Sequence, residues 1–171
     1  LTGWESRGGT FVAADGFLLK QDIDTDAVLQ LVAPEARGLV DVVVDTAMVV
    51  EDYKATLFGP PAQSVVRLRT GVDPGGYLCG LRDVYDVGAA LLVEGPDGVR
   101  RLSASDRFGF FDDGTNRRLR VTASASAATI RCVVDGRELS IESDAFAQGS
   151  VGLGSERTSA LWEYIVVYAP R

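Results

Sequence analysis

Arg118-Leu119-Arg120-Val121-Thr122-Ala123-Ser124 is followed, after a few small residues, by Thr129-Ile130-Arg131-Cys132-Val133-Val134-Asp135-Gly136 and then by Arg137-Glu138-Leu139-Ser140-Ile141-Glu142. Leu119, Val121 and Ala123 alternate with arginine and hydroxyl residues. Ile130, Cys132 and Val134 do the same, as do Leu139 and Ile141. A period of two puts alternate side chains on opposite faces of an extended chain, so each run reads as a strand with one face on a core and one toward water. Asp135-Gly136 separates two of the runs, and these residue types accept the positive φ of a tight hairpin.

The same pattern extends outward. In Leu39–Met48, the positions Val40, Val42, Val44 and Met48 oppose Asp41 and Asp45. Further turn signals are Asp15-Gly16, Asp97-Gly98, Asp113-Gly114, Gly59-Pro60-Pro61 and Gly75-Gly76. Between them we place twelve or thirteen strands, near 9–14, 17–21, 27–32, 39–49, 63–70, 76–83, 87–94, 98–104, 117–123, 128–135, 137–142, 149–154 and 159–168. So many short antiparallel strands imply an all-β chain, a two-sheet β-sandwich or jelly roll forming a single domain over 1–171. The best helical candidates are single turns near Val49–Tyr53 and Asp144–Ala147. Ser124–Ala128 reads as a connector of small residues.

Composition narrows the function. The 171 residues are 46% hydrophobic, enough for a core. Acids outnumber bases 24 to 17, a net charge of −7, which disfavours nucleic acid as a partner because phosphate neutralisation supplies most of that affinity. The first sixty residues hold ten acids and four bases. With no histidine, His-based triads, His–metal sites and His general bases are excluded. No apolar run approaches the ~20 residues of a membrane-spanning helix. A first residue of Leu1 suggests a processed or trimmed chain, with any leader or anchor upstream of it. Cys79 and Cys132 sit in no zinc or Cys-x-x-Cys pattern; they are either a disulfide, if their strands lie side by side, or two buried thiols.

Several segments together resemble the concanavalin A-like lectin/glucanase superfamily, in particular its LamG-like and 3-keto-disaccharide-hydrolase-type domains. They are Trp4 with Gly8–Leu18, Val65–Arg69 with Asp73–Leu78, the Val134-Asp135-Gly136 hairpin, Gly149-Ser150-Val151-Gly152-Leu153-Gly154, and the closing Leu161–Tyr168. This likeness covers nearly the whole chain. It implies a concanavalin A-like jelly roll and a carbohydrate ligand on the concave sheet face. It also implies a non-catalytic carbohydrate-binding or adhesion-type module of a secreted or cell-envelope bacterial protein. Gly152 and Gly154, alternating with Val151 and Leu153, suggest close approach of a neighbouring strand.

For that face the candidate ligand-binding residues are Arg67, Arg69, Tyr77, Arg82 and Tyr85, with Arg101 on a strand near Arg82. Guanidinium forks and aromatic rings suit sugars, and an arginine-lined groove favours anionic ones. The bland alternative pairs these arginines with Asp73, Asp83, Asp86 and Glu94. An enzymatic alternative is a glycoside hydrolase acting on keto-disaccharides through carboxylates among Asp83, Asp86 and Glu94. The Glu-x-Asp-x-x-Glu strand of the superfamily's glucanases is absent, since Glu138-Leu139-Ser140-Ile141-Glu142 lacks the central Asp. A structural Ca2+ would use Asp22, Asp24 and Asp26, or Glu163, which stands where relatives carry an acid in the last strand. A third alternative is a structural domain that binds a protein partner or oligomerises.

Overall fold

The computed structural model describes residues 2–53, 61–71, 75–83, 87–98, 100–107 and 118–169. Among the described residues, fourteen strands form two seven-stranded sheets. The front sheet runs in the order β1 (Trp4–Gly8), β4 (Ala27–Leu31), β13 (Ser150–Glu156), β6 (Gln63–Thr70), β7 (Gly76–Asp83), β8 (Val87–Glu94), β9 (Arg100–Arg107). The back sheet runs β12 (Arg137–Glu142), β11 (Thr129–Val134), β10 (Arg118–Ser126), β5 (Val42–Tyr53), β14 (Thr158–Tyr168), β3 (Phe17–Lys20), β2 (Val12–Ala14). Neighbours pair antiparallel throughout.

The alternation that predicts the sandwich builds its core. Leu119, Val121, Ala123, Ile130, Cys132 and Val134 are fully buried, packing with Val66, Leu68, Leu91 and Leu153 of the opposite sheet. The polar positions face water, where Arg120 donates to both Asp45 carboxylate oxygens at 2.8 and 3.0 Å. Asp15 (φ 51°) with Gly16 (φ 82°), and Asp135 (φ 49°) with Gly136 (φ 81°), supply the left-handed pairs that close two hairpins. At Gly152 a Cβ would fall 2.5 Å from the Leu29 carbonyl oxygen, so β13 needs glycine there to approach β4.

Several expectations are corrected. Val40 does not join the core: it is 48% exposed, and the strand begins at Val42. Residues 49–53 continue β5 and 144–147 are irregular; the helical turn lies at Pro34–Ala36, where proline presets φ at the first position. Ser124–Ser126 extends β10, and the turn follows at Ala127 (φ 48°). The strand at Trp4–Gly8 gave no sequence signal, because an edge strand with exposed Glu5, Ser6 and Arg7 has no apolar alternation. Asp113-Gly114 lies outside the described residues.

Cys79 and Cys132 are disulfide-bonded, with Cα atoms 5.4 Å apart. Their strands do not lie side by side. Cys79 is on β7 of the front sheet and Cys132 on β11 of the back sheet, so the bond crosses the core between facing layers. At one end of the sandwich the interior is polar instead. Lys20 is fully buried and its Nζ donates to the Thr158 carbonyl at 3.1 Å. The hydroxyls of Ser64 and Ser155 lie 2.8 and 2.7 Å from Thr158 Oγ1. Burial pulls the Lys20 amine below its ordinary 10.5, against the upward pull of Asp22, Asp26 and Asp24.

Two outcomes follow from this packing. The cross-core bond closes a loop of 53 residues; its removal in a Cys79→Ala/Cys132→Ala variant should cost about 4 kcal/mol by the loop-closure relation, read as a lower urea midpoint. An unchanged midpoint would mean that the bond does not form. Lys20 gives up its proton more readily when folded, so above its lowered pKa and up to 10.5 the unfolded chain holds more protons and stability rises with pH. Unfolding free energies of the wild type and Lys20→Met, compared from pH 7 to 10.5, should therefore diverge in the wild type's favour; a constant difference would refute the buried amine.

Candidate functional site

The front sheet has a second buried face. On β6, Ser64, Val66 and Leu68 point to the core, so Gln63, Val65 and Arg67 point outward. By the pairing registers, Leu78, Gly80 and Arg82 of β7, Ala90, Leu92 and Glu94 of β8, and Gly152, Gly154 and Glu156 of β13 share that outward face. Val65, Leu78, Ala90 and Leu92 form an apolar patch separate from the main core.

Around the patch runs a chain of ion pairs. Arg67 Nη2 donates to Glu94 Oε2. Arg100 Nε donates to Glu94 Oε1 at 2.6 Å, and Arg100 Nη1 to Glu156 Oε2. Glu94 is only 3% exposed, so its charge is tolerable because two guanidiniums answer it. At the Glu156 end, Glu156, Gln63 and Arg82 stand in register on three neighbouring strands. There the polar accounting is incomplete: Arg82 Nε and both amide atoms of Gln63 are buried without a hydrogen-bond partner.

The two guanidiniums at this end differ. Burial lowers the Arg100 pKa, but hydrogen bonds and charge from Glu156 and Glu94 overcome that and raise it. Arg82 is lowered, first by burial and then by the charge of Arg100, with only Glu156 opposing. Arg82 is thus the under-compensated cation of a cluster in which three arginines face two glutamates.

Of the five residues proposed from the sequence, the four that are described are not brought together. Arg67 and Arg82 lie on the outward face. Arg69 does not, because β6 is bulged there: Leu68 pairs with Val151 and Thr70 with Ser150, leaving Arg69 as the extra residue at φ 51°. Its guanidinium donates to Val40 O at 3.0 and 2.6 Å and to Phe146 O at 3.0 Å. Tyr77 faces inward; its hydroxyl lies 3.2 Å from Ser143 O and accepts the Phe146 N–H at 3.2 Å, and its ring meets Phe146 edge-on at 5.6 Å. Both therefore anchor the segment around 143–146. Tyr85 and Asp86 lie outside the described residues, as does Asp73. Arg101 pairs with Val93, and it is its neighbour Arg100, opposite Glu94, that joins the cluster.

Sequence reasoning also missed Gln63 and Glu156. Glu156 continues the Gly152–Gly154 parity and was legible; Gln63 carried no signal. Of the proposed acids, Asp83 pairs with Val87 at one end of the β7–β8 ladder and Glu94 pairs with Gly76 at the other. Seven residues of strand put them roughly 23 Å apart, far beyond the ~5–9 Å of a glycosidase pair.

The calcium candidates do not fit an ion. Glu163 accepts from Arg118 Nε at 2.7 Å. Asp22, Asp24 and Asp26 are exposed, and Asp22 Oδ1 accepts the Asp24 N–H at 2.8 Å in a local turn. Among the described residues no group of three His, Cys, Asp or Glu side chains could hold a metal, and no helix is long and apolar enough to cross a membrane.

No protein-family model matches the chain, and no curated protein does. Solved structures do. The carbohydrate-binding module CBM66 from Bacillus subtilis superposes with a TM-score of 0.76 at 16% identity, over 97% of this chain and 95% of the module. The exoplasmic/lumenal domain of VIP36 in its Ca2+-bound form gives 0.70 at 10% identity, over 100% and 85%. The CBM2 module of the evolved Dit protein of Lactobacillus casei BL23 phage J-1 gives 0.62 at 10%, over 98% and 90%. At these identities the likeness establishes architecture: the chain is a concanavalin A-like β-sandwich.

Proposed function

We propose that this chain is a non-catalytic carbohydrate-recognition module, and that its ligand carries an anionic group bound at the Arg82–Arg100 end of the front sheet's outward face. The observation that carries this reading is Arg82, which has a desolvated guanidinium, a buried Nε without an acceptor and a like-charged neighbour. A carboxylate or sulfate on a sugar would balance the cluster's surplus charge beside that guanidinium. Two of the structural neighbours are named as carbohydrate-binding modules, and VIP36 is also described with mannose bound, which supports a sugar over other anions. The cross-core disulfide suits an oxidising compartment and hence a secreted or cell-envelope protein. Asp83 and Glu94 stand at opposite ends of the β7–β8 ladder, so hydrolysis by that pair is not supported.

A glycan array followed by titration calorimetry tests the proposal. Uronic or sulfated glycans should bind, and Arg82→Gln should weaken them about 10- to 100-fold, the loss of one charge-assisted contact. Arg131→Gln, on the water-facing side of the back sheet, should bind as the wild type does. Absence of any anionic-sugar binding, or equal affinity in Arg82→Gln, would overturn the assignment.

A further inference from the structure

On one side of the sandwich both sheets end at strands from the start of the chain. Among the described residues β1 is the outermost strand of the front sheet there, and β2 that of the back sheet. Trp4 of β1 and Ala13, Ala14, Asp15 and Phe17 of the β2–β3 hairpin line one groove, so the two edges lie together. The five residues of β1 are Trp4-Glu5-Ser6-Arg7-Gly8, of which Glu5, Ser6, Arg7 and Gly8 are exposed. One edge of β1 is taken by β4. At its ends Val32 N–H donates to Gly3 O at 2.7 Å and Gly9 N–H to Asp26 O at 2.9 Å. Backbone groups change sides from residue to residue along an antiparallel strand. Glu5 and Arg7 therefore turn theirs to β4, while Trp4, Ser6 and Gly8 present theirs to the open edge. Such a row of donors and acceptors is a template for another strand.

The run is complementary to itself. Laid antiparallel against a second copy, with Ser6 opposite Ser6, it sets Glu5 opposite Arg7 and Arg7 opposite Glu5. Trp4 then stands opposite Gly8 at both ends. The backbone agrees with this register. Trp4, Ser6 and Gly8, the residues with groups on the open edge, meet one another, and each of those pairs exchanges two hydrogen bonds. The Glu5–Arg7 pairs take the positions between, where opposed side chains approach most closely. Neighbouring registers fail. Centring the pair on Glu5 sets two carboxylates opposite each other, and centring it on Arg7 sets two guanidiniums opposite, which is destabilising. A centre between two residues sets an open-edge residue against one turned to β4, and the ladder cannot form. Charges on an edge strand discourage unrelated strands; here they select one register with an identical chain.

The adjoining edge adds apolar surface. Val12 is 47% and Phe17 38% exposed, and Ala13 and Ala14 of β2 are exposed beside them. We propose that this side of the sandwich is a homodimer interface, in which two copies pair β1 with β1 about a two-fold axis at Ser6. The front sheet then continues from one molecule into the other, and the same patch serves both subunits, as a two-fold interface requires. A five-residue edge alone falls short of the roughly 1,200 Å2 of a stable interface. The exposed apolar residues of β2 and β3 supply the remainder, and association is weak enough to depend on concentration. No residue of the Arg82–Arg100 face takes part, so the interface stands whether or not that face binds an anionic sugar.

Sedimentation equilibrium of the whole chain, from about 1 μM to about 1 mM, should show a monomer–dimer equilibrium that weakens with added salt. Glu5→Arg sets like charges opposite each other at both pairs and should raise the dimer Kd about tenfold or more; Arg7→Glu should do the same. Mixed in equal amounts, these two variants should form a heterodimer about as tightly as the wild type dimerises, because each carries the charge the other lacks. Misfolding of either variant would not be repaired by mixing. Ser6→Pro removes an N–H that faces the open edge and leaves the bonds to β4 in place, and it should abolish the dimer. A chain that stays monomeric to about 1 mM would leave the edge to water or to a different protein and overturn the inference. So would a dimer indifferent to Glu5→Arg and Arg7→Glu, or a mixture of the two that fails to associate.

Discussion

A strand that keeps its register sends every second side chain to the same face, and β6 keeps it only as far as Leu68. The inserted Arg69, at φ 51°, breaks the alternation against β13. Before the break, Gln63, Val65 and Arg67 look outward and join the apolar patch and the ion-pair chain. After it, the guanidinium of Arg69 turns to the Val40 and Phe146 carbonyls. A Cβ at Gly149 would meet the Arg69 backbone at 2.3 Å, so the bulge also fixes which residue can stand opposite it. The course of β6 past the front sheet's outward face depends on this one insertion.

That constraint explains which parts of the molecule could be read from residues alone. The back-sheet strands β10, β11 and β12 have one wet face, so their alternation is clean and their core positions were legible. Strands β6, β7 and β8 are buried on both faces, and such strands lose the polar/apolar contrast that assigns a side. Tyr77 and Leu78 look equivalent in sequence, yet one packs inward and the other onto the outward patch. Arg100 and Arg101 are likewise indistinguishable until a further register shift, between Leu91 and Leu92, decides which stands opposite Glu94. The disulfide was undecidable for the same reason: it joins facing layers, and no local pattern encodes what lies across the core.

The ion-pair chain also limits what its members can do. A buried carboxylate serves as a general acid only if its proton is retained near neutral pH, which burial alone would favour. Glu94 is buried, and Arg67 and Arg100 both donate to it. Breaking such a pair by removing one partner is costlier than never having built it. The same residues therefore make a paired floor, beside which Arg82 Nε and the Gln63 amide stand unsatisfied.

Charge separates in space as it does along the chain. The acid-rich first sixty residues place Asp22, Asp24 and Asp26 close enough to act on Lys20 of β3, and Asp15 at the groove's rim. The arginine cluster draws instead on β6 to β9 and β13. A protein of net charge −7 can therefore still present a locally positive face, because fields at contact range are set by the nearest groups while exposed charges beyond about 10 Å are screened at ordinary ionic strength. On the reading proposed above, an anionic group would be held where Arg82 is only partly balanced by Glu156.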